Sequence, residues 1–271
     1  MDIFLFSDFD GTLVPIHKNP ATVAPSLRVR NVLKQLVSLT PVAIISGRSL
    51  AFLQKTIAMP KIILAGNHGL EIKMGADQYQ HPDAVACEKT IKRFAQKLKN
   101  GFRNTDGILI EEKGLTLTFH YRLVSPRKRE AVCNAFHDHF KTFSDQSLKV
   151  STGKMALEVR PNIDWGKREA ILWILERYKR RFPHRKVIPI YIGDDETDRA
   201  ALALVKKIGI SIFVGEVSTT TIKATFYLPS QTKCIALLSQ LQLELMAVGV
   251  LPSLGLGNKE TPALLRSIKN G

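Results

Sequence analysis

Two aspartates one residue apart, Asp8 and Asp10, close a short apolar run, Ile3-Phe4-Leu5-Phe6, and Gly11-Thr12-Leu13 follows at once. Residues i and i+2 of an extended chain point to the same side, so a strand through this stretch aims both carboxylates one way. Anions held that close raise each other's pKa unless a cation sits between them or one takes a proton. Aspartates on a solvated turn are the plain alternative. A buried strand running straight into the pair argues otherwise, because it sets the carboxylates at a strand's C-terminal end, where open α/β sheets build their sites. Other strand ends add complementary groups: Ser46 after Pro41 to Ile45, and Asp194, Asp195 and Asp198 after Val187 to Ile192, while Lys167 opens a helix. Carboxylates with backbone oxygen suit Mg²⁺, a hard ion that keeps several waters and binds along with a phosphate. No Cys or His cluster in the sequence competes for a softer metal. Ser46 and Lys167 are the right types to hold phosphate oxygens as negative charge develops. An aspartate can be the nucleophile of phosphoryl transfer. A second carboxyl beside it can protonate a leaving alkoxide and then activate water.

The elements that must position these groups follow from periodicity. Strand-like runs at residues 3–6, 41–45 and 61–65 alternate with helical spacing at Val29, Val32, Leu33 and Leu36 and at Leu50, Leu53 and Ile57. That order predicts a parallel sheet with right-handed crossovers. The pattern then changes to helix followed by paired strands, twice over. Residues 115–122 alternate with period two as a half-buried antiparallel strand does, and runs at 148–151 and 155–160 are also strand-like. An inserted α+β unit over residues 74–160 is therefore expected, within a Rossmann-like core made of residues 1–73 and 161–271. The parallel pattern resumes with a helix over 167–181, strands at 187–192, 210–214 and 225–228, and a helix over 233–246, while the tail after Gly249 shows no clear period.

The totals bound the class. The chain has 271 residues, 45% apolar and 23% charged, the balance of a globular protein large enough to bury a real core. No apolar run approaches the roughly 20 residues that span a bilayer, so no membrane association is expected. Neither a basic leader segment nor a disulfide framework is visible, the three cysteines Cys87, Cys133 and Cys234 being scattered, and a cytoplasmic setting is expected. The formal charge of +15 is unusual, but the basic residues lie in several helical segments without an interleaved aromatic pattern. They read as solvated helix faces, with no nucleic acid as partner.

Asp8-Phe9-Asp10-Gly11-Thr12, Ile45-Ser46-Gly47, Lys167 and Gly193-Asp194-Asp195-Glu196-Thr197-Asp198 occur in the order of the four motifs of the haloacid dehalogenase-like phosphatases, which the sequence resembles. Within the insertion and at its borders, four stretches look like those of trehalose-6-phosphate phosphatases: Gly66-Asn67-His68-Gly69-Leu70-Glu71, Glu111-Glu112-Lys113-Gly114, His120-Tyr121-Arg122 and Gly153 to Pro161. The resemblance covers the chain up to about Leu238. It implies a haloacid dehalogenase core with an inserted cap, and Mg²⁺-dependent hydrolysis of trehalose 6-phosphate through an aspartyl-phosphate. Asp8 would be the nucleophile, Asp10 the general acid and base, and Ser46 and Lys167 the phosphate-holding pair. The metal would be held by Asp8, Asp194 and the Asp10 carbonyl, with Asp195 and Asp198 shaping the loop. Gly11, Thr12, Gly47, Arg48, Asn67 and His68 would bind substrate from the core, and Glu111, Lys113, Arg122, Lys154 and Glu158 would grip the sugar from the cap. Lys154 and Glu158, four apart in an expected strand, would share a face. Glu112 replaces Glu111 if the strand register slips by one. Arg168 follows Lys167 where that family often has glycine, a position expected to face solvent. A small sugar phosphate is the implied partner, with a trehalose-phosphate synthase as a functional one. The alternatives are a phosphatase of sucrose-phosphate or mannosyl-phosphoglycerate type, or a basic binding protein with an idle phosphatase core.

Overall fold

The computed structural model describes residues 2–17, 22–217 and 220–250. The tail expected to lack a period lies, from residue 251 on, outside the described residues. In chain order the first part comprises β1 (Asp2–Ser7), α1 (Leu27–Leu39), β2 (Val42–Ile45), α2 (Leu50–Ile57), β3 (Ile63–Gly66), β4 (Glu71–Met74) and β5 (Asp77–Gln80). A second group follows: α3 (Pro82–Ala86), α4 (Glu88–Gly101), β6 (Leu109–Glu112), β7 (Leu117–His120), α5 (Arg129–Phe143), β8 (Leu148–Gly153) and β9 (Ala156–Pro161). The chain then returns with α6 (Lys167–Arg181), β10 (Val187–Gly193), α7 (Arg199–Ile208), β11 (Ile210–Val214), β12 (Phe226–Leu228) and α8 (Gln231–Val250).

One sheet has eight strands in the order β12-β11-β10-β1-β2-β3-β4-β5, parallel from β12 to β3 and antiparallel at β4 and β5. The buried strands read as near-continuous apolar runs because both faces are covered. Phe4 and Phe6 of β1 point to the face packed by α6 and α7, and Leu5 points to the face packed by α1, α2 and α8. The strand order reverses at β1, where β2 leaves one way and β10 the other. The C-terminal ends of those three strands thus flank a crevice, the usual ligand position in an open α/β sheet.

The second sheet is antiparallel, in the order β6-β7-β9-β8. Its alternation decides its two faces. Leu117, Phe119, Leu157 and Val159 pack against Phe94 and Leu98 of α4 and Phe136 of α5, while Thr118, His120, Ala156 and Glu158 turn the other way, toward a pocket. The expected border between residues 73 and 74 cuts a hairpin, since β5 pairs with β4 in the large sheet. Asp77-Gln78-Tyr79-Gln80 carries no apolar run to announce a strand. It is an edge strand, and its aromatic, Tyr79, packs against Trp165 and Trp173.

Candidate active site

β1 delivers Asp8 into the crevice, 4% exposed. The nitrogen of Lys167, at the first turn of α6 and equally buried, donates to Asp8 Oδ1 at 2.8 Å and to Asp198 Oδ1 at 2.7 Å. Asp198 is fully buried and accepts also from the Tyr191 hydroxyl and from the backbone N–H groups of Asp194 and Asp195 at 3.0 and 3.1 Å. Four donors fill the lone-pair sites of one carboxylate, so Asp198 braces the loop after β10. Asp195 caps the short turn that follows by accepting from the Thr197 N–H and hydroxyl at 2.9 and 2.7 Å.

Asp8, Asp194 and Asp198 bring one carboxylate oxygen each within 4.8 Å of one another. Asp194 is held by the Thr12 hydroxyl at 3.2 Å and by the Lys154 ammonium at 2.8 Å. Gly11, at φ +90°, lets the chain pass this carboxylate, since a Cβ there would fall 2.1 Å from Asp194 Oδ2. Four carboxylates, Asp8, Asp194, Asp195 and Asp198, gather around two ammonium groups, Lys154 and Lys167. Burial raises the pKa of Asp8 well above the carboxylate range; Lys167 opposes the shift, and Asp198, Asp194 and Asp195 add to it. Asp194 is raised by burial too, against Lys154. The reverse holds for Lys167: burial works to lower its pKa, but Asp198 and Asp8 outweigh it and keep the ammonium charged. An excess of hard oxygen donors at a buried strand end fits a divalent cation such as Mg²⁺. Of the three carboxylates that meet within 4.8 Å, Asp198 is already filled by its four donors, which leaves Asp8 and Asp194 open to such an ion.

Asp10 is placed differently from Asp8. Arg48, after β2, grips it with two parallel hydrogen bonds, Nε to Oδ2 and Nη2 to Oδ1, both 2.7 Å. Ser46, 1% exposed, accepts from the Arg48 N–H at 3.2 Å and so fixes the turn that carries the guanidinium. The adjacent Gly47 is required by closeness, as a Cβ there would meet the His68 ring at 2.7 Å.

The turn after β3 is the most contorted backbone of the site. Asn67, His68 and Gly69 have φ of 49°, 58° and 94°, a region that non-glycine residues enter rarely and mostly as Asn, Asp or His. Several bonds hold the turn there. The N–H groups of Asn67 and His68 donate to the carbonyls of Arg48 and Ser46 at 2.7 and 2.8 Å. The Asn67 amide donates to Glu71 at 2.7 Å and to the Lys113 carbonyl at 3.0 Å, and it accepts from Thr116 at 2.7 Å. The turn thereby ties the large sheet to the loop between β6 and β7. His68 itself meets Glu158 of β9 at 2.7 Å. Lys113 completes the junction, donating to Glu158 at 3.1 Å and to the Gly47 carbonyl at 2.8 Å. Burial pushes the Glu158 pKa up, but His68 and Lys113 pull it far below the usual carboxylate range.

One pocket joins the two sheets. It is lined by Asp8, Asp10, Ser46, Gly47, Arg48, His68, Lys167, Asp194 and Asp195 from the large unit and by Glu111, Lys113, Arg122, Lys154 and Glu158 from the small one. Four expected site residues are absent from its wall. Gly11 and Thr12 stand behind Asp194, Asn67 is a fully buried bridge, and Asp198 braces from within. The register between Glu111 and Glu112 is decided: Glu111 accepts from His120 Nε2 at 2.9 Å on the pocket side, whereas Glu112 pairs with Lys99 of α4 on the opposite face. Burial raises the Glu111 pKa, but the His120 hydrogen bond and the charges of Lys113 and Arg48 bring it below its ordinary value. Lys154 and Glu158 do not share a strand face. Lys154 lies in the turn between β8 and β9, where Met155 is left-handed at φ 61°, and it reaches Asp194 from there. Arg122 donates to the Lys154 carbonyl at 2.7 Å and supports that turn. Arg168 is half-exposed and pairs with Glu169. Sequence reasoning misses Tyr191, which lies inside the strand run 187–192, and the pairing of His120 with Glu111 nine positions away.

Residues 6–232 match the family model described as trehalose-phosphatase. Over 90% of the chain, the trehalose-phosphate phosphatase of Mycobacterium marinum is 31% identical, and the match covers 63% of that protein. The chain thus spans under two thirds of the length of that curated relative. Among solved structures, the C-terminal domain of trehalose-6-phosphate phosphatase from C. albicans superposes with a TM-score of 0.72 at 25% identity, over 89% of this chain and 92% of that one. A protein described as related to trehalose-6-phosphate phosphatase shares the fold, with a TM-score of 0.77 at 22% identity over 90% of this chain and 99% of that one. With its carboxylates, lysine and strand ends arranged as above, the chain belongs to the trehalose-phosphatase family.

Proposed function

We propose that the protein is an Mg²⁺-dependent phosphatase that hydrolyses trehalose 6-phosphate to trehalose and phosphate. The observation that carries this reading is the shared pocket, with nucleophile-type carboxylates on one wall and sugar-binding charges on the other. The large sheet and its helices are the catalytic core. The unit from α3 to β9 is the cap, beginning after the β4–β5 hairpin. Asp8 attacks phosphorus with Oδ2, since Lys167 holds Oδ1, and forms an aspartyl-phosphate. Asp10 protonates the departing sugar oxygen and then takes a proton from the attacking water. Arg48 orients it for both steps. Lys167 and Ser46 hold the phosphate oxygens. Asp8, Asp194 and the Asp10 carbonyl hold Mg²⁺, which when bound offsets the phosphate charge. Glu111, Lys113, Arg122, Lys154 and Glu158 bind the sugar, charged groups making the stronger hydrogen bonds to hydroxyls. No described helix is long and apolar enough to cross a membrane. This reading makes a trehalose-phosphate synthase the supplier of substrate, in the cytoplasm.

The test is a panel of sugar phosphates with Mg²⁺, comparing kcat/KM. Trehalose 6-phosphate is expected to lead sucrose phosphate and mannosyl-phosphoglycerate, with chelation abolishing turnover and added Mg²⁺ restoring it. A folded protein inert toward the whole panel would sink the proposal.

A further inference from the structure

Four residues lie in register across the smaller sheet and face the pocket as one row. Glu111 of β6 is opposite Thr118 of β7, Thr118 is opposite Glu158 of β9, and Glu158 is opposite Ser151 of β8; all four line the pocket. The two glutamates of the row are engaged, Glu111 with His120 and Glu158 with His68 and Lys113. Thr118 between them is not. Its residue is 5% exposed, and its Oγ1 is sealed from solvent without a hydrogen-bond partner among the described residues. A buried hydroxyl left unpaired is costly. Valine has nearly the same shape and an equal preference for strands, so packing and propensity do not call for the hydroxyl. What remains is a ligand group in the pocket that the residue lines, which the hydroxyl meets by turning about χ1.

We propose that Thr118 is a specificity-determining residue whose hydroxyl hydrogen-bonds a sugar hydroxyl remote from the phosphate. The inference rests on the sugar-phosphate reading above. A sugar hydroxyl both donates and accepts, so one seated at the centre of the row accepts the Thr118 proton while giving its own to a flanking glutamate. A site built to pair with a substrate hydroxyl discriminates against an analogue that lacks it, because its own buried group is then stranded. The row therefore reads hydroxyl position, where the surrounding charges only hold the sugar.

The experiment compares wild type, Thr118→Val and Thr118→Ser on trehalose 6-phosphate and on its monodeoxy analogues. Thr118→Val is expected to lower kcat/KM on the full substrate by about two- to tenfold, the range of one hydrogen bond, chiefly through KM. Thr118→Ser should recover most of the loss. On one monodeoxy analogue, the one missing the paired hydroxyl, wild type and Thr118→Val should be equal. A valine variant within error of wild type on the full substrate would overturn this inference alone, as would an equal loss on every analogue or no recovery with serine. A wild-type enzyme that ignores all sugar phosphates would overturn the functional reading and this one with it.

Discussion

Asp8 and Glu158 are both carboxylates nearly sealed from solvent, each within 3.1 Å of a lysine nitrogen, and their surroundings drive them in opposite directions. Burial favours the protonated form of both. Around Asp8 the neighbours are mostly anions, so its pKa stays high despite Lys167. Around Glu158 they are His68, Lys113 and Arg160, and its charge is stabilised. The first environment has charge left unbalanced, as a site that recruits a cation and attacks a phosphate should. In the second the charges are matched, which is what a junction between two units needs to close in one register. On the proposed reading, the catalytic wall and the junction between the two sheets thus use the same residue types with opposite charge balance.

The largest expected effect tests the first half of that contrast. Asp8→Asn should lower kcat by roughly four orders of magnitude or more, equally on trehalose 6-phosphate and on p-nitrophenyl phosphate, because the nucleophile serves both. A loss confined to the sugar substrate would show that Asp8 is not the attacking group. Lys167→Ala leaves two buried carboxylates without their ammonium. It should cost about 3–5 kcal/mol in denaturant unfolding, as breaking a buried pair does, besides abolishing turnover.

Glu158→Gln addresses the second half. Its kcat/KM on trehalose 6-phosphate should fall about 10- to 100-fold, the value of charged hydrogen bonds, and by much less on p-nitrophenyl phosphate. Equal losses would mean that the cap does not read the sugar. The pH dependence of stability carries a sign. Because the folded pKa of Glu158 is depressed, its contribution is complete above the unfolded value of about 4.3 and fades as pH falls toward the folded one. The Tm gap between wild type and Glu158→Gln should therefore be widest near neutrality and narrow below about pH 4.5. A gap that grows on acidification would reverse the assignment. The smallest effect is at Glu112, whose partner Lys99 is about half exposed. Glu112→Ala should change stability by less than about 1 kcal/mol and leave kcat/KM unaltered. Kinetic losses matching those of Glu111→Ala would mean the faces of β6 are exchanged.

That Asp8, Asp10, Ser46, Lys167 and Asp194 meet in one crevice was legible in the sequence because these residues are local to strand ends and one helix start. An apolar run stopping at Asp8, another stopping at Ser46 and a third stopping at Asp194 place side chains by chain direction alone, and a parallel sheet gathers such ends on one edge. The same logic gave the helix opening at Lys167, with bounds that the structure repeats at 167–181. What failed to show was set by partners far along the chain. Asp77–Gln80 became a strand only because β4 offered it an edge. Lys154 left its expected strand for a turn, a one-residue matter that periodicity does not resolve.

Sequence by itself therefore determined which groups can do the chemistry and the family of the fold, since both depend on residue type and on nearest neighbours. Only the tertiary structure decided which partners each of those groups has. That Asp198 is saturated by four donors while Asp8 is not, that Arg48 grips Asp10, and that Glu111 rather than Glu112 faces the pocket all depend on contacts across 3 to 159 positions of chain. Charge balance around a buried carboxylate is a sum over everything packed against it, and that sum exists only once the two sheets have met.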